Sequence, residues 1–168
     1  WGVGSGVGHM AVQIAKIVGC NVIATAGSDE KCRFATDLGA DLVIHHYNDN
    51  IAAEVKKFCG KVDVVFEHVG SATWDVSMKV LSNGGRVVTC GATTGANVSI
   101  DLRHLFFKQQ TILGSTMGDV DTFTQVIKLV EEGQLKPRVE KTFSLDDIAS
   151  AHEYLENSEQ FGKVVLTL

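Results

Sequence analysis

Every second position from Gly2 to Gly8 is glycine, and the run Gly2-Val3-Gly4-Ser5-Gly6-Val7-Gly8 leads straight into an apolar-periodic stretch, His9 to Val18. Glycines let the backbone turn tightly and let another group approach it closely, while the helix that follows offers unpaired N–H groups and the positive end of its dipole. The combination reads as an anion-binding turn of the phosphate type feeding a helix. In doubly wound α/β folds this turn follows the first, central strand of the sheet. Only Trp1 to Val3 precede it here, so that strand is expected to be largely missing and the chain to be a piece of a longer protein.

The rest of the chain alternates short β-branched runs with helical patterns. Strands are predicted at Asn21–Ala26, Leu42–Ile44, Val62–Phe66, Arg86–Cys90 and Thr111–Ser115. Helices are predicted over about Asp29–Leu38, Ile51–Phe58, Ala72–Leu81, Leu102–Lys108 and Val120–Glu132. Glycines follow many of these helices, and Asn83-Gly84-Gly85 reads as the stop after the helix at Ala72–Leu81. Val62 to Phe66 is nearly continuous in apolar residues, the pattern of a strand covered on both faces. Repeated β-α units with short connections predict an α/β fold, a Rossmann-like doubly wound parallel sheet with right-handed crossovers. The only proline, Pro137, marks a change of rhythm. Beyond it lie a strand at Arg138–Phe143, a helix capped by Ser144 and a closing strand at Gly162–Leu166, a tail that could belong to another domain's sheet.

Composition removes several classes of function. A net charge of −5 with scattered lysines lacks the basic stripe that nucleic acid requires, so no nucleic-acid partner is expected. No apolar run approaches the roughly 18 residues that cross a bilayer, so no membrane partner is expected and a cytoplasmic location is the default. The four cysteines lie far apart without Cys-x-x-Cys spacing, which favours free thiols over a metal or disulfide role.

Gly6, Gly8 and Ala11 satisfy the G-x-G-x-x-A variant of the dinucleotide fingerprint; the strict glycine form is absent. Its position, opening a helix and followed by a second β-α unit, raises a nucleotide-binding reading well above a structural loop. The end of the second strand bears on which nucleotide. A carboxylate there binds both ribose hydroxyls and repels a 2′-phosphate. Ala26-Gly27-Ser28 carries none, while Ser28 can donate a hydrogen bond and Lys31 can supply positive charge, so NADP(H) is favoured over NAD(H). Asp29 and Glu30 lie close by, with an adequate structural role at a helix N-terminus.

Several ordered segments carry a family resemblance. They are Gly4-Ser5-Gly6-Val7-Gly8 with Ala11-Val12-Gln13-Ile14-Ala15-Lys16, then Ala24-Thr25-Ala26-Gly27-Ser28-Asp29-Glu30-Lys31, Leu38-Gly39-Ala40-Asp41, Gly84-Gly85-Arg86-Val87-Val88 and Gly162-Lys163-Val164-Val165-Leu166. In this order and spacing the chain resembles the medium-chain dehydrogenase/reductase superfamily. It is most similar to the zinc-type alcohol dehydrogenase and quinone oxidoreductase-like branches.

The resemblance implies an NAD(P)-binding Rossmann domain at 1–137 and, at 138–168, a return segment that would complete a GroES-like catalytic domain. It implies an oxidoreductase moving hydride to or from a carbonyl, alcohol or activated alkene, with nicotinamide dinucleotide and a small molecule as partners. Zinc ligands of such a parent precede the glycine turn, so no metal site and no catalytic residue are expected in this chain, and turnover by the chain alone is not expected. Tyr47 resembles a loop position near the adenine or its phosphate, with loop packing as the alternative. Val69-Gly70-Ser71, Gly91-Ala92-Thr93 and Ser115-Thr116-Met117 follow strands on the ligand side; the latter two are implied at the nicotinamide, with Val7 behind its ring. Lys163 resembles a terminal-strand lysine placed to reach a phosphate, with a solvated surface lysine as the alternative. Glu67 and His68 could touch the cofactor, and His9, His104 and His152 read as surface or packing residues. The strand at Ile112 and Leu113 is expected at a sheet edge that forms a homodimer or tetramer. Two other classes stay open: a non-catalytic nucleotide-binding or interaction module, and a methyltransferase using S-adenosylmethionine.

Overall fold

Side-chain caps start helices where the sequence changes period. Ser28, Asn50, Asp101 and Asp119 each accept a backbone N–H of the first turn, from Lys31, Ala53, Arg103 and Thr122, and so satisfy donors the helix itself leaves free. The computed structural model describes residues Trp1–Leu168. Its elements are α1 (Gly8–Ile17), β1 (Ile23–Ala26), α2 (Asp29–Asp37), β2 (Leu42–His45), α3 (Ile51–Phe58), β3 (Val62–Glu67), α4 (Trp74–Val80), β4 (Leu81–Thr89), α5 (Leu102–Phe107), β5 (Thr111–Gly114), α6 (Val120–Glu131), β6 (Val139–Ser144), a 3-10 turn (Leu145–Asp147), α7 (Ile148–Glu156) and β7 (Lys163–Thr167). This is an α/β, Rossmann-like fold with parallel strand pairing. No helix is long and apolar enough to cross a membrane.

The chain forms two compact units, one of Trp1 with Ile44–Gly118 and one of Gly2–Val43 with Asp119–Leu168. In the first, β3, β4 and β5 pair in parallel in that order, which leaves β5 at an edge. Two expectations are corrected here. The helix predicted to run on to Leu81 ends at Val80, because Leu81 already pairs with Val62. Asn83, Gly84 and Gly85 are then not a helix stop but an irregularity within β4: Val62 faces Leu81 while Val64 faces Arg86. Gly84 takes the left-handed φ of 73° that such a detour demands, and its N–H bonds the Lys108 carbonyl. Nor is β3 covered on both faces. Val65 and Glu67 are buried on one, whereas Val64 on the other is 54% exposed. Strand alternation, not the continuous apolar run, decides the burial.

In the second unit, Val3, Val12, Ala24, Ala26 and Ala35 form the core, with Val22, Cys32, Leu38, Ala40 and Val43 packed around it. The small residues of β1 let α2 pack closely on it, and Val12 of α1 joins the same core. The Leu38-Gly39-Ala40-Asp41 segment ends α2 and fastens the next turn: the Ala40 N–H bonds the Ala35 carbonyl, and the Asp41 carboxylate accepts from Lys16 Nζ at 2.8 Å and from the Val22 N–H at 2.7 Å. The Lys16 hydrogen bond first, and the Val22 N–H after it, hold the Asp41 carboxyl below the usual carboxylate range. β6 and β7 pair with each other in parallel.

The strands expected in the doubly wound sheet pair as β1–β2 and β3–β4–β5, and the tail strands β6 and β7, expected apart from them, form a sheet of their own. Residues before α1 form no strand. The Val3 N–H bonds the Thr25 carbonyl at 3.0 Å and the Gly2 N–H bonds Thr25 Oγ1 at 3.1 Å, too few links to make a ladder.

Candidate functional site

The glycine turn folds on itself before α1 begins. The Ser5 N–H bonds the Gly2 carbonyl at 3.0 Å, the Gly8 N–H bonds Ser5 Oγ at 2.8 Å, and the His9 N–H bonds the Ser5 carbonyl at 3.2 Å. The N–H groups of Gly6 and Val7 find no partner within the chain. The Val7 side chain is 44% exposed. The alternating glycines have distinct reasons. A Cβ on Gly8 would stand 2.3 Å from the Gly2 carbonyl oxygen, one on Gly6 2.7 Å from Lys163 Cε, and one on Gly4 2.8 Å from Lys31 Cδ.

Two predicted lysines therefore converge on the turn, Lys31 across Gly4 and Lys163 across Gly6. Lys163 is exposed. The Lys31 ammonium donates to the Ser158 carbonyl and lies 5.4 Å from the centre of the Phe161 ring, and its partial burial lowers its pKa from the ordinary lysine value. Ser28 Oγ accepts the Lys31 N–H at 3.2 Å as the cap of α2, which leaves its own hydrogen free to donate.

The same unit fastens the tail to the turn through side chains whose role the sequence did not disclose. The Gly162 N–H bonds the Gly4 carbonyl at 2.8 Å. Gln13 accepts the Lys136 N–H at 2.8 Å and returns a bond to the Lys136 carbonyl at 3.2 Å, while His9 Nε2 accepts the Arg138 N–H at 3.1 Å. His9 and Gln13, one turn apart on α1, thus give residues 136–138 the partners a strand edge would give. His9 is fully buried rather than superficial. Arg138 is held between rings, its guanidinium 5.1 Å from the Phe34 centre and 5.5 Å from that of Phe161.

In the other unit, the loops that follow β3 and β4 lock together. The Thr94 N–H and Oγ1 both donate to the Val69 carbonyl, at 2.7 and 2.8 Å, and Thr93 Oγ1 donates to the His68 carbonyl at 3.0 Å. Gly91 presses so near that a Cβ would lie 2.9 Å from that same carbonyl. Gly91, Ala92 and Thr93 are exposed, as is Ser115, whose N–H bonds the Thr89 carbonyl. Met117, 96% exposed with φ 55°, and Tyr47, 79% exposed, project into solvent; the Tyr47 ring lies beside the rings of His45 and His46.

Glu67 is the organiser of these loops. Its buried carboxylate accepts from the Val69 N–H (2.7 Å), the Gly70 N–H (3.1 Å), Thr73 Oγ1 (2.9 Å) and Ser77 Oγ (2.7 Å). Burial acts to raise its pKa, but the Ser77, Val69, Gly70 and Thr73 bonds outweigh it and leave the value below that of an ordinary glutamate. His68 Nε2 donates to the Trp1 carbonyl at 2.7 Å, and burial lowers its pKa. Both side chains are thus occupied by the fold itself. No three His, Cys, Asp or Glu side chains gather into a metal-ligating group.

Unpartnered amides beside two lysines, in a cradle where Gly8 has no room for a side chain, can receive a phosphate or pyrophosphate. The family model of the zinc-binding dehydrogenases matches residues 6–132. Crotonyl-CoA carboxylase/reductase of Cereibacter sphaeroides is 32% identical over 90% of the chain and 41% of its own length. The crystal structure of an NAD-dependent alcohol dehydrogenase superposes with a TM-score of 0.93 at 40% identity, over 99% of this chain and 49% of that one. The structure of Escherichia coli quinone oxidoreductase complexed with NADPH gives 0.87 at 28%, over 99% and 55%. The chain spans about half the length of the curated relatives it matches.

Proposed function

Because this chain belongs to the zinc-binding dehydrogenase family, we propose that it is the cofactor-binding part of an NAD(P)(H)-dependent oxidoreductase, one that moves a hydride to or from a carbonyl, alcohol or activated alkene. The observation that carries this reading is the glycine cradle: free Gly6 and Val7 amides, Lys163 across Gly6, and no room for a Cβ on Gly8. These features fit the pyrophosphate of a dinucleotide. Bound nicotinamide supplies or accepts the hydride; the protein's part is to hold and orient it. Residues 1–137 are read as the cofactor domain and 138–168 as the segment returning to a catalytic domain outside this chain, where any zinc ligands and the groups that polarise substrate would lie. The exposed Gly91, Ala92, Thr93, Ser115 and Met117 are assigned to the nicotinamide end, Tyr47 to the adenine end, and Val69, which follows β3, to a cofactor contact. Cysteines outside any disulfide suit a cytoplasmic protein.

The reading favours NADP(H). Ser28 has a hydroxyl hydrogen to offer a 2′-phosphate and no carboxylate to repel it, and Lys31 lies one turn on. Calorimetric titration with NADPH, NADH and S-adenosylmethionine in parallel tests this: NADPH is expected to bind most tightly and adenosylmethionine not at all. Ser28→Asp keeps a good helix cap and adds only charge. It is expected to weaken NADPH by about tenfold or more, as like charges at close range do, and NADH by less than about threefold. Equal losses for both cofactors would remove the 2′-phosphate from the site.

We also propose self-association through β5, whose outer edge has no partner strand and whose Leu113 is 43% exposed. Leu113→Lys is expected to shift sedimentation toward the monomer; an unchanged profile would place the interface elsewhere.

A further inference from the structure

A neutral imidazole has one donor nitrogen and one acceptor. The Arg138 N–H can only donate, so His9 Nε2, 3.1 Å away, accepts, and the proton lies on Nδ1. Nδ1 then donates to the Ser5 carbonyl at 3.0 Å, and the His9 backbone N–H reaches the same oxygen at 3.2 Å. Two donors from one residue therefore grip the Ser5 carbonyl. In a trans peptide plane the carbonyl and the N–H that follows it point in opposite directions, and the chain has no cis peptide. A Ser5 carbonyl drawn toward His9 turns the Gly6 N–H the other way, and that N–H has no partner within the chain.

We infer that His9 is a positioning residue for the phosphates of the dinucleotide: its Nδ1–H fixes the Ser5–Gly6 peptide plane so that the Gly6 amide faces outward, and its Nε2 ties that plane to the tail at Arg138. The inference rests on the dinucleotide-binding reading and deepens it. His9 touches no phosphate itself. Its ring is fully buried, with the Phe34 ring centre 6.4 Å from its own, and Gln13 fastens the neighbouring Lys136 from the next turn of α1. The orientation of the turn is thereby made to depend on the tail that leads into β6.

Substitutions that copy one nitrogen at a time separate the two bonds. Asparagine sets an amide N–H near the place of Nδ1 but falls short of Arg138, whereas glutamine reaches Arg138 and leaves the Ser5 carbonyl with the backbone N–H alone. NADPH and inorganic pyrophosphate are titrated into the full chain, with thermal melting and nitrogen-15 spectra recorded for each variant. His9→Leu is expected to weaken both ligands by tenfold or more, His9→Asn to recover at least threefold of that loss, and His9→Gln to recover none, even where glutamine melts higher. The wild-type spectrum is expected to show the Nδ1–H tautomer, and the Gly6 amide resonance to move in His9→Leu and His9→Gln but return toward its wild-type position in His9→Asn. Affinity that simply follows melting temperature, or an Nε2–H tautomer, overturns the inference. A folded wild-type chain that binds neither ligand overturns the dinucleotide reading instead, and the tautomer with the Gly6 resonance then decides whether His9 sets this peptide plane.

Discussion

Gly8→Ala is expected to cost about 3 kcal/mol of folding stability, the upper range for forcing atoms into packed structure, and to remove measurable binding of either nicotinamide dinucleotide. The added Cβ would lie 2.3 Å from the Gly2 carbonyl oxygen, 2.9 Å from the Gly2 carbonyl carbon and 2.9 Å from Ser5 Oγ. Two of the three are backbone atoms, and all belong to the bonds that close the turn, Ser5 N–H to the Gly2 carbonyl and Gly8 N–H to Ser5 Oγ. Relief therefore opens the turn itself. The same change at Gly4 or Gly6 meets the flexible stems of Lys31 or Lys163, so each is expected to cost less than about 1 kcal/mol of stability. Gly6→Ala is nonetheless expected to weaken binding, because it displaces a lysine that lies across the turn. Urea unfolding of the three variants beside calorimetry with NADPH checks the series. Binding by Gly8→Ala within tenfold of wild type would show that the phosphates do not rest on this turn.

How far the sequence disclosed this arrangement depends on the range of the interaction concerned. The turn, the start of α2 at Asp29 and its end before Gly39 are local: residue type and its neighbours settle them, and the structure places them as expected from the sequence. The family resemblance rested on such local segments and is met by the family match over residues 6–132. Failures came where a distant partner decides. The boundary between α4 and β4 was read from Asn83-Gly84-Gly85, but pairing with β3 begins at Leu81 and pushes those residues into a detour. Val64 looked buried in an apolar run because composition does not reveal which face of β3 is covered. His9 read as a surface or packing residue; its burial bears out the packing, but its partner, Arg138, lies 129 residues away and was not legible. Glu67 at the end of the same strand resembled a ligand contact. Its partners Thr73 and Ser77 stand nearby in sequence, and hydroxyls six and ten residues after a carboxylate were the available signal.

Removing that carboxylate is the other large effect. Glu67→Ala is expected to destabilise the protein by about 4 kcal/mol, since buried donors left without an acceptor cost their desolvation in full. Those donors are the Val69 and Gly70 amides and the hydroxyls of Thr73 and Ser77. Glu67→Gln keeps the shape and still costs about 2 kcal/mol, because its NH2 group must face a donor. Ser77 Oγ is already engaged as the acceptor of the Trp1 indole N–H at 2.7 Å. The two glutamate variants also separate the contribution of charge from that of shape through pH. The folded-state pKa lies below the unfolded one, where burial raises it but the hydrogen bonds lower it more. The carboxylate's contribution is therefore complete above the unfolded value of about 4.3 and is lost as pH falls through the folded value. Wild type should lose stability on acidification below that point more steeply than Glu67→Gln, in proportion to one proton. Other depressed carboxylates, Asp101 at about 2 among them, titrate in both proteins and cancel in the comparison. Urea midpoints between about pH 3 and pH 6 measure the difference, and parallel curves would mean that Glu67 is not held ionised. The loss reaches function through Val69 and Gly70, whose amides the carboxylate holds while the Val69 carbonyl takes both bonds from Thr94. With that clamp gone, the segment from Gly91 to Thr93 loses the surface it is fixed against, and NADPH affinity is expected to fall together with stability.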